Sequence, residues 1–217
     1  MEKRFTEQES MEVITEMISR ARNNFNRNMS MMIFWGYLVA TTAVANFVLL
    51  QTPTVDKTEA YHVWWLMIPG AVVSYFIRRR IDRTAVVKTH IDRIINATWL
   101  GNGISIFVFW GLIMIFCNIT HNWSTAFLIT PVIMTTLGLS EYVTACACRA
   151  RRMKWIAVLL WAGAILCMVP FKWENTGGHY VGSLYQGAQQ LILAACMIAG
   201  FVVPGHVINR QQKKNHV

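Results

Sequence analysis

Charge is what this sequence most lacks. Charged side chains are 14% of its 217 residues, against roughly 25% in an ordinary soluble domain. That excludes a fold whose helices all carry a solvated, ionised face. Walker, GxSxG, HExxH and GxGxxG motifs are also missing, which removes the common phosphate-binding, serine-hydrolase, zinc-protease and dinucleotide sites. The cysteines (Cys117, Cys146, Cys148, Cys167 and Cys196) are odd in number. Their spacing matches no zinc or redox framework, so they read as small apolar core residues. Residues 1–27 are charged and have no continuous apolar run, which is not the pattern of a cleavable signal peptide. No polar stretch is long enough to form a separate soluble domain around an active site, so no catalytic residue, metal site or cofactor is expected.

What is present is apolar sequence, 54% of the chain, with the charges bunched between apolar runs. Six runs are long enough, or nearly so, to span a bilayer: residues 31–50, 62–77, 100–119, 124–147, 155–171 and 186–208. The second is short and holds Pro69-Gly70, and the fourth holds Pro131 and Glu141. The fifth ends at Pro170, and the sixth holds Pro204-Gly205. Residues 1–30 form a cytoplasmic amphipathic segment and residues 209–217 a basic tail. The fold expected is therefore all-α: a polytopic membrane protein with six transmembrane helices and two cytoplasmic amphipathic helices.

Lysine and arginine placement orients the chain. In the six-span arrangement 18 of the 20 basic residues fall on one side. The exceptions are Lys57 and Lys172. Positive loops mark the cytoplasm, so both termini are predicted there, in an inner (plasma) membrane. A five- or seven-span arrangement breaks this split. The net charge of +9 is explained by orientation and by contact with anionic headgroups, not by nucleic acid. Trp64, Trp65, Trp123 and Trp173 fall near the predicted outer boundary, Trp99 and Trp155 near the inner one. Interfacial tryptophan keeps its ring apolar and its N–H bonded.

Two stretches have helical apolar periodicity without spanning length. One is Met11, Ile14, Ile18, Ala21 and Phe25, with a Thr6–Glu9 capping box at its start. The other is Val87, Ile91, Ile94 and Ile95. Phe34-Trp35-Gly36 recurs as Phe109-Trp110-Gly111, with Trp161-Ala162-Gly163 as a fainter echo, which suggests a repeated hairpin.

Residues Glu9-Ser10 through Met17-Ile18, the run Phe34-Trp35-Gly36-Tyr37-Leu38-Val39, the basic helix from Lys88 to Ile95, and Val203-Pro204-Gly205-His206 together resemble a family of small uncharacterised inner-membrane proteins of the Bacteroidetes type. The resemblance covers nearly the whole chain. It implies the six-helix fold but no activity. Members often look like neighbours of small transcriptional regulators, which implies a stress or envelope role.

Glu141 is the residue most able to carry chemistry. It lies eight residues before Arg149, about 12 Å along a helix. A carboxyl group at membrane depth often marks a proton, ion or substrate path. The plainer expectation, which is favoured, is that Glu141 sits at the cytoplasmic boundary beside a basic residue. Thr135, Asn46 and Asn102 could line the same polar path, although such asparagines more often join helices by hydrogen bonds. His206 could face the bundle as a proton partner of Glu141. His62, His121 and His179 fall on the opposite side, too far apart in sequence to suggest a metal site. Ala195 and Ala199 have the spacing of close helix packing. Asn118 and Asn122 match the glycosylation pattern by chance. Three functions stay open: a membrane-embedded interaction, regulatory or envelope-stress protein, which leads; a small transporter or channel using Glu141; and a lipid-binding or lipid-acting enzyme. Lipids are the expected partners, and self-association is open.

Overall fold

The computed structural model describes residues 7–55, 57–84, 90–121, 123–148, 150–168 and 183–214. Among them there is no strand. The helices are α1 (Glu7–Gln51), α2 (Lys57–Ala60), α3 (Met67–Thr84), α4 (His90–Thr120), α5 (Ile129–Ala147), α6 (Lys154–Met168), α7 (Ser183–Met197) and α8 (Val203–Lys214). Tyr61–Leu66, Trp123–Leu128 and Arg151–Met153 are 3₁₀ segments, and Ile198–Val202 is a π-helical turn joining α7 to α8.

Four stretches are long and apolar enough to cross a membrane: Ser30–Gln51, His90–Thr120, Thr125–Ala147 and Gly187–Val207. They correspond to the first, third, fourth and sixth predicted spans. The fifth is the shorter apolar helix Lys154–Met168, about 22 Å at the usual rise; residues 169–171 lie outside the described ones. The second, at 62–77, is the 3₁₀ segment Tyr61–Leu66 running into α3, and it does not meet the length and hydropathy of the other four.

The amphipathic stretches are not separate helices. Residues 7–30 and the first span form one 45-residue helix. Ile91, Ile94 and Ile95 belong to the same helix as the third span. No Gly or Pro interrupts either junction, so nothing stops the backbone from continuing helically. Thr6 and Val87 lie outside the described residues.

Neighbouring helices run antiparallel, as the contact pairs show. A Cβ on Gly36 of α1 would meet Phe201 and Val202, and one on Gly187 would meet Gln51 and Phe47. Cys167 Sγ of α6 meets Met134 Sδ of α5, while Trp161 Nε1 donates to the Thr135 carbonyl. Trp99 Nε1 of α4 donates to Thr144 Oγ1 of α5 at 3.2 Å. The core lies between α1, α5, α6 and α7, where Met134, Leu160, Leu193 and Met197 are buried.

The π-helical turn has a local cause. Pro204 has no N–H, so the carbonyl four residues back, at Gly200, cannot make its α-helical bond. A widened turn redistributes the bonds. It also pushes Phe201 and Val202 against α1. Glycine is needed opposite: a Cβ at position 36 would lie 2.9 Å from Phe201 Cβ and 3.4 Å from the Val202 nitrogen, atoms that cannot swing aside. The repeat suggested by Phe34-Trp35-Gly36 does not extend to packing, because Gly111 has no atom within 4 Å of a built Cβ. Ala195 and Ala199 do not make the close contact expected of them. Both are exposed, and the tight approaches use Gly187, Gly200 and Gly205 instead. Cys146, expected in the core, is exposed as well.

Gly36→Ala should lower stability by about 1–3 kcal/mol, the usual effect of overpacking a tight contact. Gly101→Ala, where a built Cβ meets nothing within 4 Å, should leave stability unchanged or raise it. Thermal unfolding of both variants in detergent checks the contrast; equal effects would mean that the α1 contact yields readily.

Candidate functional site

Apart from Thr42, whose hydroxyl donates to the Leu38 carbonyl, and Thr130, the buried polar side chains fall into two groups about ten residues apart along the helices, roughly 15 Å at the helical rise. They are set by antiparallel register. Between them lie Met134, Leu160, Leu193 and Met197, with at most 2% of their surface exposed.

The first group is toward the turn that follows α1. Asn46 is fully buried and its Nδ2 donates to the Ala60 carbonyl at 2.7 Å. This bond ties the end of the first spanning stretch to the start of the 3₁₀ segment. On α7, Gln189 Nε2 donates to the Cys167 carbonyl at 3.0 Å, which holds the end of α6. Gln190 is buried beside it, and its Oε1 has no hydrogen-bond partner among the described residues. Neither glutamine was singled out from sequence. The signal available was two successive amides inside an apolar run.

The second group is toward the end carrying Arg80, Arg93 and Lys154. Glu141 has 0% exposure, and neither carboxyl oxygen has a hydrogen-bond partner among the described residues. Glu141 is thus buried among the helices, with no basic partner among the described residues. On α5 the buried residues Met134, Leu137, Gly138, Glu141, Thr144 and Ala145 share one face, and Glu141 is near its centre. Asn102 is also buried, with Oδ1 unpartnered among the described residues. Nearby, Thr144 Oγ1 donates to the Ser140 carbonyl and Ser140 Oγ to the Thr136 carbonyl. Trp99 stacks edge-on against Phe201 of the π-helical turn, centroids 6.3 Å apart. Just past α5, burial pushes the Cys148 thiol up, and the carboxyl groups of Asp92 and Glu141 add to the effect.

The five sequence candidates thus separate. Glu141 and Asn102 fall at one level, each about one turn from the Trp99–Thr144 bond. Asn46 belongs to the other group. Thr135 is exposed and bonds back to the Pro131 carbonyl at 2.8 Å. His206 is exposed, and its Nε2 lies 3.1 Å from the Tyr37 hydroxyl, on a lateral face rather than against Glu141. Its neighbour Gly205 is the residue that turns inward, toward Ile33, and this leaves His206 outside. His62 and His121 are exposed and His179 lies outside the described residues. Among the described residues no three His, Cys, Asp or Glu side chains could hold a metal ion.

The chain matches no protein-family model, no curated protein and no solved structure.

Asn46→Leu leaves the Ala60 carbonyl without its donor inside the protein. The expected loss is about 1–3 kcal/mol, with faster amide hydrogen exchange confined to residues near 60. Unchanged exchange there would show that the bond does not hold the segment.

Proposed function

We propose that this chain is a six-span protein of a bacterial inner membrane, with both termini in the cytoplasm, acting as a membrane-embedded interaction or regulatory protein. The stress or envelope role implied by the sequence resemblance fits this reading. The four membrane-length helices support it, with α6 and the segment through α3 supplying the remaining passes. The one-sided distribution of Lys and Arg supports the orientation, with the basic face against anionic headgroups.

One observation carries the functional reading: the bundle closes around a packed, largely apolar layer while its lateral faces stay open. Met134, Leu160, Leu193 and Met197 separate the two polar groups, which is a poor arrangement for a standing conduction path. By contrast α3 buries only Gly70, against Leu38, among its described side chains. On α4 only Ile95, Asn102, Ile113 and Cys117 are buried; Ile104, Phe107, Val108, Leu112 and Ile115 are exposed. Helices this uncovered offer apolar surface to lipid or to the helices of a membrane partner, including a second copy of this chain. A second reading, a small ion-coupled transporter, is favoured by the full burial of Glu141.

In a cysteine-free background, Lys57→Cys should react with a membrane-impermeant maleimide on intact cells, and Arg83→Cys only after permeabilisation. The reverse pattern, or external labelling of both, would overturn the topology. A photo-crosslinking residue placed at Phe107 or Phe76 in living cells should give discrete protein adducts that one placed at Ala43 does not. Lipid adducts alone at both exposed positions would remove the interaction reading.

A further inference from the structure

The Glu141 layer contains acceptors in excess of donors. Both Glu141 oxygens and Asn102 Oδ1 are buried and unpartnered among the described residues. Three donors near this depth are committed elsewhere: Trp99 Nε1 to Thr144 Oγ1, Thr144 Oγ1 to the Ser140 carbonyl, and Ser140 Oγ to the Thr136 carbonyl. A carboxylate buried without a countercharge or donor is costly by several kcal/mol or more.

Register brings these acceptors to one level. The Trp99–Thr144 bond sets the antiparallel pairing of α4 and α5. Three residues further along α4 is Asn102; three residues back along α5 is Glu141. Each is one turn away from the bond, on the buried face of its own helix. One proton answers both deficits. Carried on a Glu141 oxygen, it makes that oxygen a donor, and Asn102 Oδ1 is the acceptor at the same level.

We propose that Glu141 and Asn102 form an intramembrane proton-binding site. A proton from water at the basic end of the bundle joins the Glu141 carboxylate to give the acid, whose O–H donates to Asn102 Oδ1. Release returns the carboxylate and the proton to the same side. Among the described residues the groups facing this layer are few. Asp92 of α4 and Cys148 beyond α5 lie toward the basic end. Lys154 of α6 is directed over the Tyr142 ring, 5.6 Å from its centroid. The buried residues that α6, the π-helical turn and α1 place around this depth, Ala157, Gly200, Phe201 and Gly36, do not titrate. The apolar layer beyond them leaves the basic end as the route of exchange. This inference does not rest on the interaction reading: a proton site serves a pH-responsive regulator or a proton-coupled transporter equally.

The test is infrared difference spectroscopy of the full chain in lipid nanodiscs through a pH titration, following the carboxylic-acid C=O stretch. Near neutral pH the wild-type protein should show an acid band that shifts in deuterium oxide and on carboxyl-¹³C glutamate labelling. The band should be lost in Glu141→Gln and kept in Asp92→Asn. In Asn102→Leu it should move to higher wavenumber, because the acid has lost its acceptor. A wild-type spectrum with no glutamate acid band overturns the proposal, and so does a band that survives Glu141→Gln. Replacing potassium by sodium at fixed pH separates a metal ion from a proton: abolition of the band by sodium would assign the layer to a metal cation and overturn the proton site. Isotope labelling needs no variant, so the proposal stays testable even if Glu141→Gln fails to fold.

Discussion

Gly36 meets Phe201 and Val202 with no room for a side chain, and this contact governs how the rest of the bundle is arranged. It sets the approach of α1 to the broken helix made of α7, the π-helical turn and α8. Pro204 causes the break, and the break turns Phe201 inward. Phe201 then packs against Trp99, whose indole bonds Thr144 and holds α4 to α5. A chain of contacts thus links the first span, the last span and the α4–α5 hairpin at one depth. Dispersion and close backbone approach are the forces available there, since lipid tails are as apolar as the side chains they replace.

That same depth holds the most expensive group in the protein. Glu141 lies on the centre line of the buried face of α5, where an apolar residue would pack at lower cost. Its burial is enforced by helical periodicity: Met134, Leu137, Thr144 and Ala145 must face the core, and position 141 faces it with them. Among the described residues no side chain supplies Glu141 a hydrogen bond. Stability gives no reason for an acidic residue here, whereas the proton site proposed above does.

The two polar groups divide the work of the core. Asn46 and Gln189 complete the hydrogen bonding of chain ends, Ala60 before its turn and Cys167 near the end of α6. Backbone carbonyls freed at helix ends need such donors when water is excluded. Glu141 and Asn102 complete no backbone bond. The first group thus serves architecture in part, although Asn46 Oδ1 and Gln190 Oε1 also lack partners among the described residues.

The sequence by itself determined the helical class, four membrane-length helices, and the asymmetry of positive charge. These follow from composition and spacing, which need no knowledge of neighbours. It also marked Glu141 and Asn102 as residues out of place in apolar runs. Only the tertiary structure decided which polar residues share a level. Register, set by Trp99 and Thr144, put Asn102 level with Glu141 and left Asn46 about 15 Å away. Rotation of α8, set by Gly205 against Ile33, turned His206 outward to Tyr37. Continuity of α1 and α4 was likewise hidden, because amphipathic and apolar stretches read as separate elements when only their hydropathy differs. Composition and periodicity are properties of one helix, whereas register and rotation belong to a pair of helices and exist only once the pair has packed.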